Sequence, residues 1–271
     1  MLPALELRHI PAVTPRGFPP LLFVHGAFLS AACWERHVMP ELAAAGFDCY
    51  ALSLRGHGQS EGHEFLPIAS LDHYVYDLGN SIARLPQRPI LIGHSMGCTI
   101  IQRWLREHHA PGAVFIAPIP PANALCSAMQ IALAEPRRLF ELNRPQFAGN
   151  ALTNLQEVRG ILFAPDTDDA TIRDALPLFQ PESHRAIIDL SLLQEQNRPE
   201  WPPSLLVGGE QDVLIPPVIV KALAQCCGVH AEILPGMGHV MMLEPRWPSL
   251  TACLKHWLET EFSVNEPAAP H

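Results

Sequence analysis

A chain of 271 residues, 48% hydrophobic and 17% charged, can bury one large core and has the composition of a globular protein. A net charge of −9 with no basic stripe argues against a nucleic-acid partner, and no apolar run reaches the length of a membrane span. The N-terminus lacks a basic region followed by an apolar one, so a soluble cytoplasmic protein without stable membrane insertion is expected. Of seven cysteines, Cys33, Cys49, Cys98, Cys126 and Cys253 sit in apolar stretches and read as core thiols, while the adjacent Cys226 and Cys227 cannot readily bridge each other. The fourteen histidines form no H-x-x-x-H or H-E-x-x-H pair, and no metal or other cofactor is expected.

In chain order, residues 4–10 alternate as an outer strand, 11–20 are turn-rich, and 21–24 are an apolar run that reads as a central strand. That run ends in His25-Gly26-Ala27-Phe28, where Gly26 lets the backbone turn and Ala27 is the candidate for one inward-facing N–H. A plain strand-ending glycine is the alternative. A helix through Trp34, Val38 and Leu42 stops at Gly46, and 47–54 is the next strand. The loop Arg55-Gly56-His57-Gly58-Gln59-Ser60 follows, with His57 expected to be structural because it lies in a glycine-locked turn. Val75, Leu78, Ile82 and Leu85 mark a helix over 71–85.

Residues 89–92 are a short buried strand, Gly93-His94-Ser95-Met96-Gly97 is a G-x-S-x-G pentapeptide, and Ile100, Ile101, Trp104 and Leu105 recur at helical spacing. Strand, tight turn, helix is the context in which this pentapeptide becomes a nucleophile elbow. It lifts the Ser95 hydroxyl to a helix N-terminus, where N–H groups favour developing negative charge. The strand at 112–118 completes a third strand–helix alternation, which implies a parallel sheet with right-handed crossovers.

The rhythm breaks after Pro118. Residues 120–203 hold helix-like pieces at 122–135, 137–142, 171–178 and 182–196, punctuated by prolines, with no convincing strand. This is read as an inserted helical cap whose apolar residues, among them Met129, Leu133, Phe140, Phe147, Leu152 and Phe163, build its own core and roof a pocket. Phe28, Met129, Phe140, Phe147 and Val240 are the candidate pocket residues. The strand pattern returns at 204–209 before Glu210, Gln211 and Asp212. A helix over 216–227, a strand at 231–234, the loop ending Met237-Gly238-His239 and a closing helix over 246–262 follow. The core domain is thus 1–119 plus 204–262, the cap 120–203, and the Pro/Ala-rich 263–271 a tail expected to be disordered.

Ser95, Asp212 and His239 each follow a predicted parallel strand, so all three are expected at one edge of the sheet. Ser95 would attack a carbonyl, His239 would take and return its proton, and Asp212 would fix the imidazole tautomer. The N–H groups of Met96 and Ala27 would hold the oxyanion. Glu210 is the rival acid.

Together, LLFVHGA (21–27), SLRGHGQS (53–60), LIGHSMG (91–97), LLVGGEQD (205–212) and GMGHVMMLEP (236–245) resemble the capped serine hydrolases of the α/β-hydrolase superfamily. The resemblance implies a mostly parallel, eight-stranded-type sheet flanked by helices with an inserted helical cap. It implies Ser95 as nucleophile, Asp212 as acid, His239 as base and oxyanion donors at Ala27 and Met96. Cys98 departs from the glycine or small residue common there, and Ser95 disfavours relatives with an aspartate nucleophile. The expected activity is hydrolysis of a small-molecule carboxylic ester with an apolar group, like an esterase or lysophospholipase. A C–C bond hydrolase or thioesterase on the same triad, or a small-molecule receptor with a slow triad, is the alternative. Nothing in the sequence gives the oligomeric state.

Overall fold

The computed structural model describes residues 3–120, 155–191 and 201–262. Strands β1 (Leu7–Ile10), β2 (Leu21–Val24), β3 (Cys49–Leu52), β4 (Ile90–His94), β5 (Ala113–Ile116), β6 (Ser204–Gly209) and β7 (His230–Leu234) form one sheet in the order β1-β3-β2-β4-β5-β6-β7. Among the described residues the sheet has seven strands, where an eight-stranded type was expected. Only β1 is antiparallel, against β3; every other pair is parallel. The interior strands β2, β4 and β5 are buried on both faces, and for that reason their sequences are unbroken apolar runs rather than alternating ones. β7 at the edge shows the half-exposed alternation of a strand with one wet side.

Helices α1 (Ala32–Glu35) and α2 (Val38–Ala44) replace the single predicted helix through Trp34 and Leu42. The chain breaks at His37, whose φ of −139° is not helical, while Trp34, Val38 and Leu42 all remain in the core. Helix α3 (Leu71–Ala83) begins at a capping box, with Ser70 accepting from the His73 N–H and His73 accepting from the Ser70 N–H. It packs against α4 (Met96–Trp104), the helix that follows the pentapeptide. A 3₁₀ turn over His63–Ile68 and another over Met241–Leu243 were not legible as elements in the sequence.

Within 155–191 the chain forms α5 (Leu155–Leu162), α6 (Asp169–Ala175) and α7 (His184–Ser191), with no strand among the described residues of that stretch. Asp168 caps α6 by accepting from the Thr171 N–H, so the helix starts before the predicted 171, and Pro177 tightens its end into a 3₁₀ turn over Leu176–Leu178. The predicted helix 182–196 begins at His184 and is described to Ser191. The segment is tied to the loops after several strands. Leu162 C=O accepts from His239 and Val240, Gln180 N–H donates to Phe28 C=O, and Asp189 accepts from Leu71 N–H at the start of α3. The helices expected at 122–135 and 137–142, the pocket candidates Met129, Phe140 and Phe147, and the tail 263–271 lie outside the described residues. The closing helices are α8 (Pro217–Cys227) and α9 (Trp247–Phe262), the latter packed against α2. Among the described residues no helix is long and apolar enough to cross a membrane.

One close approach fixes how α4 sits on the sheet. A Cβ on Gly97 would lie 2.4 Å from the Val24 carbonyl oxygen and 2.7 Å from that of His25, both backbone atoms that cannot swing aside. Gly160 is the opposite case: a Cβ there meets nothing within 4 Å, and the residue sits inside α5. Gly97→Ala is therefore expected to lose about 1–3 kcal/mol of unfolding free energy from overpacking. Gly160→Ala is expected to gain about 0.5–1 kcal/mol from helix propensity alone. Urea unfolding of the two variants checks both signs, and equal effects would mean that the elbow is not closely packed.

Candidate active site

Ser95 stands between β4 and α4 with φ 50° and ψ −116°, a left-side backbone conformation that a side-chain-bearing residue adopts only when its surroundings hold it there. Its N–H is fixed to Ile116 C=O at 2.9 Å, and its C=O accepts from Cys98 N–H at 2.9 Å. The Cys98 thiol lies 3.2 Å from Gly93 C=O and 3.3 Å from Ile116 C=O, filling the space beneath the turn. Met96, the first residue of α4, has its N–H at the helix end where no preceding carbonyl is available within the helix.

The loops after β6 and β7 bring up the other two groups. Asp212 is buried, and its Oδ1 accepts from the N–H groups of Leu214 and Ile215, each at 2.9 Å. That leaves Oδ2 for His239 Nδ1 at 2.8 Å, and His239 Nε2 lies 3.1 Å from Ser95 Oγ. A carboxylate only accepts, so Nδ1 carries a proton toward Asp212, and Nε2 is the nitrogen that faces the hydroxyl. The three side chains predicted from three distant segments are thus one hydrogen-bonded chain. Glu210, the rival acid, instead accepts from Gly236 N–H at 2.9 Å and braces the turn before the histidine loop.

Histidines pack behind this chain with their tautomers set by their partners. His94 Nε2 donates to His239 C=O at 3.0 Å, holding that residue from behind, and burial keeps His94 well below its ordinary pKa and therefore neutral. His25 Nε2 accepts from Leu54 N–H at 3.1 Å, so its Nδ1 carries the proton and donates to Gly26 C=O at 2.8 Å. Burial pushes the His25 pKa down to about 3. A Cβ on Gly26 would fall 2.5 Å from His94 Nδ1 and 3.1 Å from Ser95 Cβ, so the loop carrying Ala27 passes directly beside the serine.

Among the pocket candidates, Phe28 and Val240 are both buried, and Phe28 has φ 67° on the loop after β2. His57 is wholly buried and does not join the Asp212–His239–Ser95 chain; it lies against Glu182. A groove of about 790 Å³ lined by Trp201, Ser204, Leu205, His230 and Trp257 opens at the opposite ends of β6 and β7 and includes none of the three site residues. Among the described residues no three His, Cys, Asp or Glu side chains gather as a metal ion would need.

Glu244, within the segment 236–245, takes a role that its local sequence does not reveal. Its Oε1 accepts from Gly238 N–H at 2.8 Å and Ala164 N–H at 3.0 Å, joining the histidine loop to the end of α5. Its Oε2 is buried without a hydrogen-bond partner among the described residues. Burial pushes the Glu244 pKa up from 4.5 to about 7, against the two N–H bonds that lower it. Below pH 4.5 the carboxyl is neutral in both the folded and unfolded chain. Between 4.5 and 7 only the unfolded chain ionises freely, so stability falls as pH rises through that window. Glu244→Gln keeps an oxygen for both N–H groups and removes the ionisation. Relative to the native chain it is expected to gain about 2–3 kcal/mol as pH rises through the window and then level off. Urea unfolding across a pH series reads this, and a difference independent of pH would refute the assignment.

A family model described as the alpha/beta hydrolase family matches residues 21–247. The chain is 30% identical over 121 residues to the pyrethroid hydrolase of Sphingobium wenxiniae, a match covering 44% of this chain and 42% of that protein, less than half its length. It is 26% identical over 263 residues to the monoacylglycerol lipase of Mycolicibacterium smegmatis, covering 92% of this chain and 90% of the relative. Among solved structures, a thermophilic esterase from Thermogutta terrifontis superposes with a TM-score of 0.71 at 18% identity, over 96% of this chain and 94% of that one. The sheet order, the turn that carries Ser95 and a family match running from the start of β2 to the start of α9 agree, and the chain belongs to the alpha/beta hydrolase family.

Proposed function

We propose that this chain is a serine hydrolase that cleaves a carboxylic ester bearing an apolar group, through an acyl-enzyme intermediate on Ser95. The observation that carries this reading is the continuous contact Asp212–His239–Ser95, at 2.8 Å and 3.1 Å, ending on a serine held in a strained turn. The relatives named as a pyrethroid hydrolase, a monoacylglycerol lipase and an esterase support ester cleavage as the class of reaction.

In this mechanism Ser95 Oγ attacks the ester carbonyl carbon as its proton passes to His239 Nε2. Asp212 faces the opposite nitrogen and stabilises the imidazolium that forms. The carbonyl oxygen becomes an oxyanion held by the N–H groups of Ala27 and Met96. The C–O bond to the alcohol then breaks, and His239 returns the proton to the departing oxygen. A water molecule deprotonated by the same nitrogen attacks the acyl-enzyme, releasing the acid and restoring Ser95. Each step uses groups of this chain and water alone.

Residues 120–203 act in this reading as a cap over the site and 1–119 with 204–262 as the hydrolase core. What supports it is the described portion, 155–191, which hydrogen-bonds to the loops holding Phe28 and His239. Phe28 and Val240 then lie where the apolar part of a substrate enters.

A fluorophosphonate probe is expected to add once to the native chain, on Ser95, and not at all to Ser95→Ala. Ser95→Ala is expected to lower kcat by on the order of 10⁶ and Asp212→Asn by about 10⁴. Intact-mass analysis and steady-state kinetics measure both; an adduct that persists in Ser95→Ala would remove the nucleophile assignment.

Acyl-chain length offers a second test. A roofed apolar site gains about 0.8 kcal/mol per buried methylene, so kcat/KM should rise up to roughly fourfold for each added CH₂ until the space is filled. Across p-nitrophenyl esters the profile is expected to peak at short to medium acyl length, with emulsified triglyceride a poor substrate. A flat profile from acetate to palmitate would show that the cap does not measure the acyl group.

A further inference from the structure

The loop Arg55–Ser60, left without a role in the reaction, meets residues 180–183 and the loop after β2 around one buried carboxylate. Glu182 is 3% exposed. Its Oε1 accepts from Tyr74 Oη–H at 2.7 Å and from Ser183 N–H at 2.6 Å. Its Oε2 accepts from Phe28 N–H at 3.2 Å and lies 3.2 Å from His57 Nε2, an ion-pair contact. His57 Nδ1 lies 3.1 Å from Arg55 C=O and donates to it, while Nε2 faces the carboxylate at ion-pair distance without hydrogen-bond alignment. Burial works against charge on either partner, but each raises or lowers the other toward its ionised form: His57 is held above its ordinary value and Glu182 below.

A buried ion pair is poor evidence for stability, because desolvation offsets its attraction. Its position is more informative. Phe28 has φ 67°, and both of its backbone polar groups are held from the same short segment, N–H by Glu182 and C=O by Gln180 N–H at 2.8 Å. Gln180 Oε1 in turn accepts from Gly58 N–H at 2.7 Å. Without the Glu182 contact the Phe28 N–H is freed and the backbone on either side of Ala27 can relax from this strained form, which turns the neighbouring Gly26–Ala27 peptide, bearer of the proposed donor N–H, out of alignment with the serine. An oxyanion donor acts only when it is aimed beforehand at the place where the negative charge develops. His57 lies on the carboxylate oxygen that holds Phe28 N–H, one residue along the chain from the proposed oxyanion donor Ala27, and so stands as its counter-ion.

We propose that Glu182 is a positioning residue that holds the Ala27–Phe28 turn in its oxyanion-binding form, with His57 as its counter-ion and Tyr74 as its brace. This rests on the serine-hydrolase reading above, whose oxyanion site it deepens.

The test uses the full chain as native protein, Glu182→Gln and Tyr74→Phe, with Ser95→Ala as the blank. A glutamine at 182 must point its amide N–H₂ at either Phe28 N–H or Ser183 N–H, so it cannot satisfy both. Four readouts are compared: folded content by thermal melt, kcat and KM on a short p-nitrophenyl ester, the Ki of a trifluoromethyl ketone, and the rate of fluorophosphonate labelling. The ketone adds Ser95 Oγ to form a tetrahedral oxyanion, so its affinity reports the oxyanion site directly. Glu182→Gln is expected to lower kcat roughly 10- to 100-fold with KM within about threefold, and to weaken the ketone by the same factor as kcat/KM. Tyr74→Phe, which keeps the carboxylate, is expected to move kcat and Ki in the same direction by a smaller factor. A folded Glu182→Gln with kcat within about twofold of native overturns the proposal, as does a loss of kcat with an unchanged ketone Ki. Should Glu182→Gln not fold, Tyr74→Phe decides by the same two criteria. If native protein labels at Ser95 but turns over no ester, the ester reading fails alone, and the labelling rates of the variants still decide the role of Glu182. No labelling of native protein overturns both.

Discussion

The first turn of α4 approaches the end of β2 more closely than any side chain would allow, and the geometry of the site follows from that contact. With Gly97 seated against the Val24 and His25 carbonyls, Ser95 is pushed into its positive-φ conformation, and the loop carrying Ala27 runs alongside it. Parallel pairing of β2 with β4, Val24 opposite Gly93, sets the height at which the two loops leave the sheet. The strain at Ser95 is held by packing on all sides: the Ile116 carbonyl on its N–H, Cys98 beneath, and the backbone of β2 across the glycine. A cysteine is tolerated after the pentapeptide because its thiol points between two carbonyls rather than toward β2.

Around this turn the protein sorts its histidines by charge. His25 and His94 are buried with one acceptor and no carboxylate in contact, so they stay neutral and serve as fixed hydrogen-bond struts. His57 lies against Glu182, whose carboxylate holds its pKa above the ordinary value against the pull of burial. His239 has a carboxylate on one nitrogen and a hydroxyl on the other, the only one of the four placed to exchange a proton with the serine. The distinction is made by which neighbour each ring finds, since all four are nearly or wholly buried.

Much of this was legible in the sequence because the informative residues are local. β2, β4, β5 and β6 are short apolar runs; Ser95 and Asp212 stand just after the ends of β4 and β6, and His239 stands in the loop after the half-exposed edge strand β7. Strand ends were harder: β4 extends through His94 into the pentapeptide, because pairing with β5 continues to Ile116. The break at His37 was invisible because Trp34, Val38 and Leu42 keep helical spacing across it. Glu182 and Glu244 were missed for a different reason. Their partners, Phe28 and Tyr74 for one and Ala164 for the other, are far away in the chain, so no local pattern marks them. The sign available was only that each is a charged residue beside a proline, at Pro181 and Pro245, which reads equally well as an exposed turn.

The order of strands also bears on how the protein comes into being. The half of the sheet ending at β5 carries Ser95, whereas Asp212 and His239 belong to β6 and β7, which follow only after the long excursion between Ile116 and Ser204. Docking β6 onto β5 closes a loop of great length, the slow kind of pairing in a folding chain. Until that seam closes, a nascent or partly unfolded chain holds Ser95 without Asp212 and His239 beside it. The hydrogen-bonded chain of the three side chains is thereby withheld until the two halves have met.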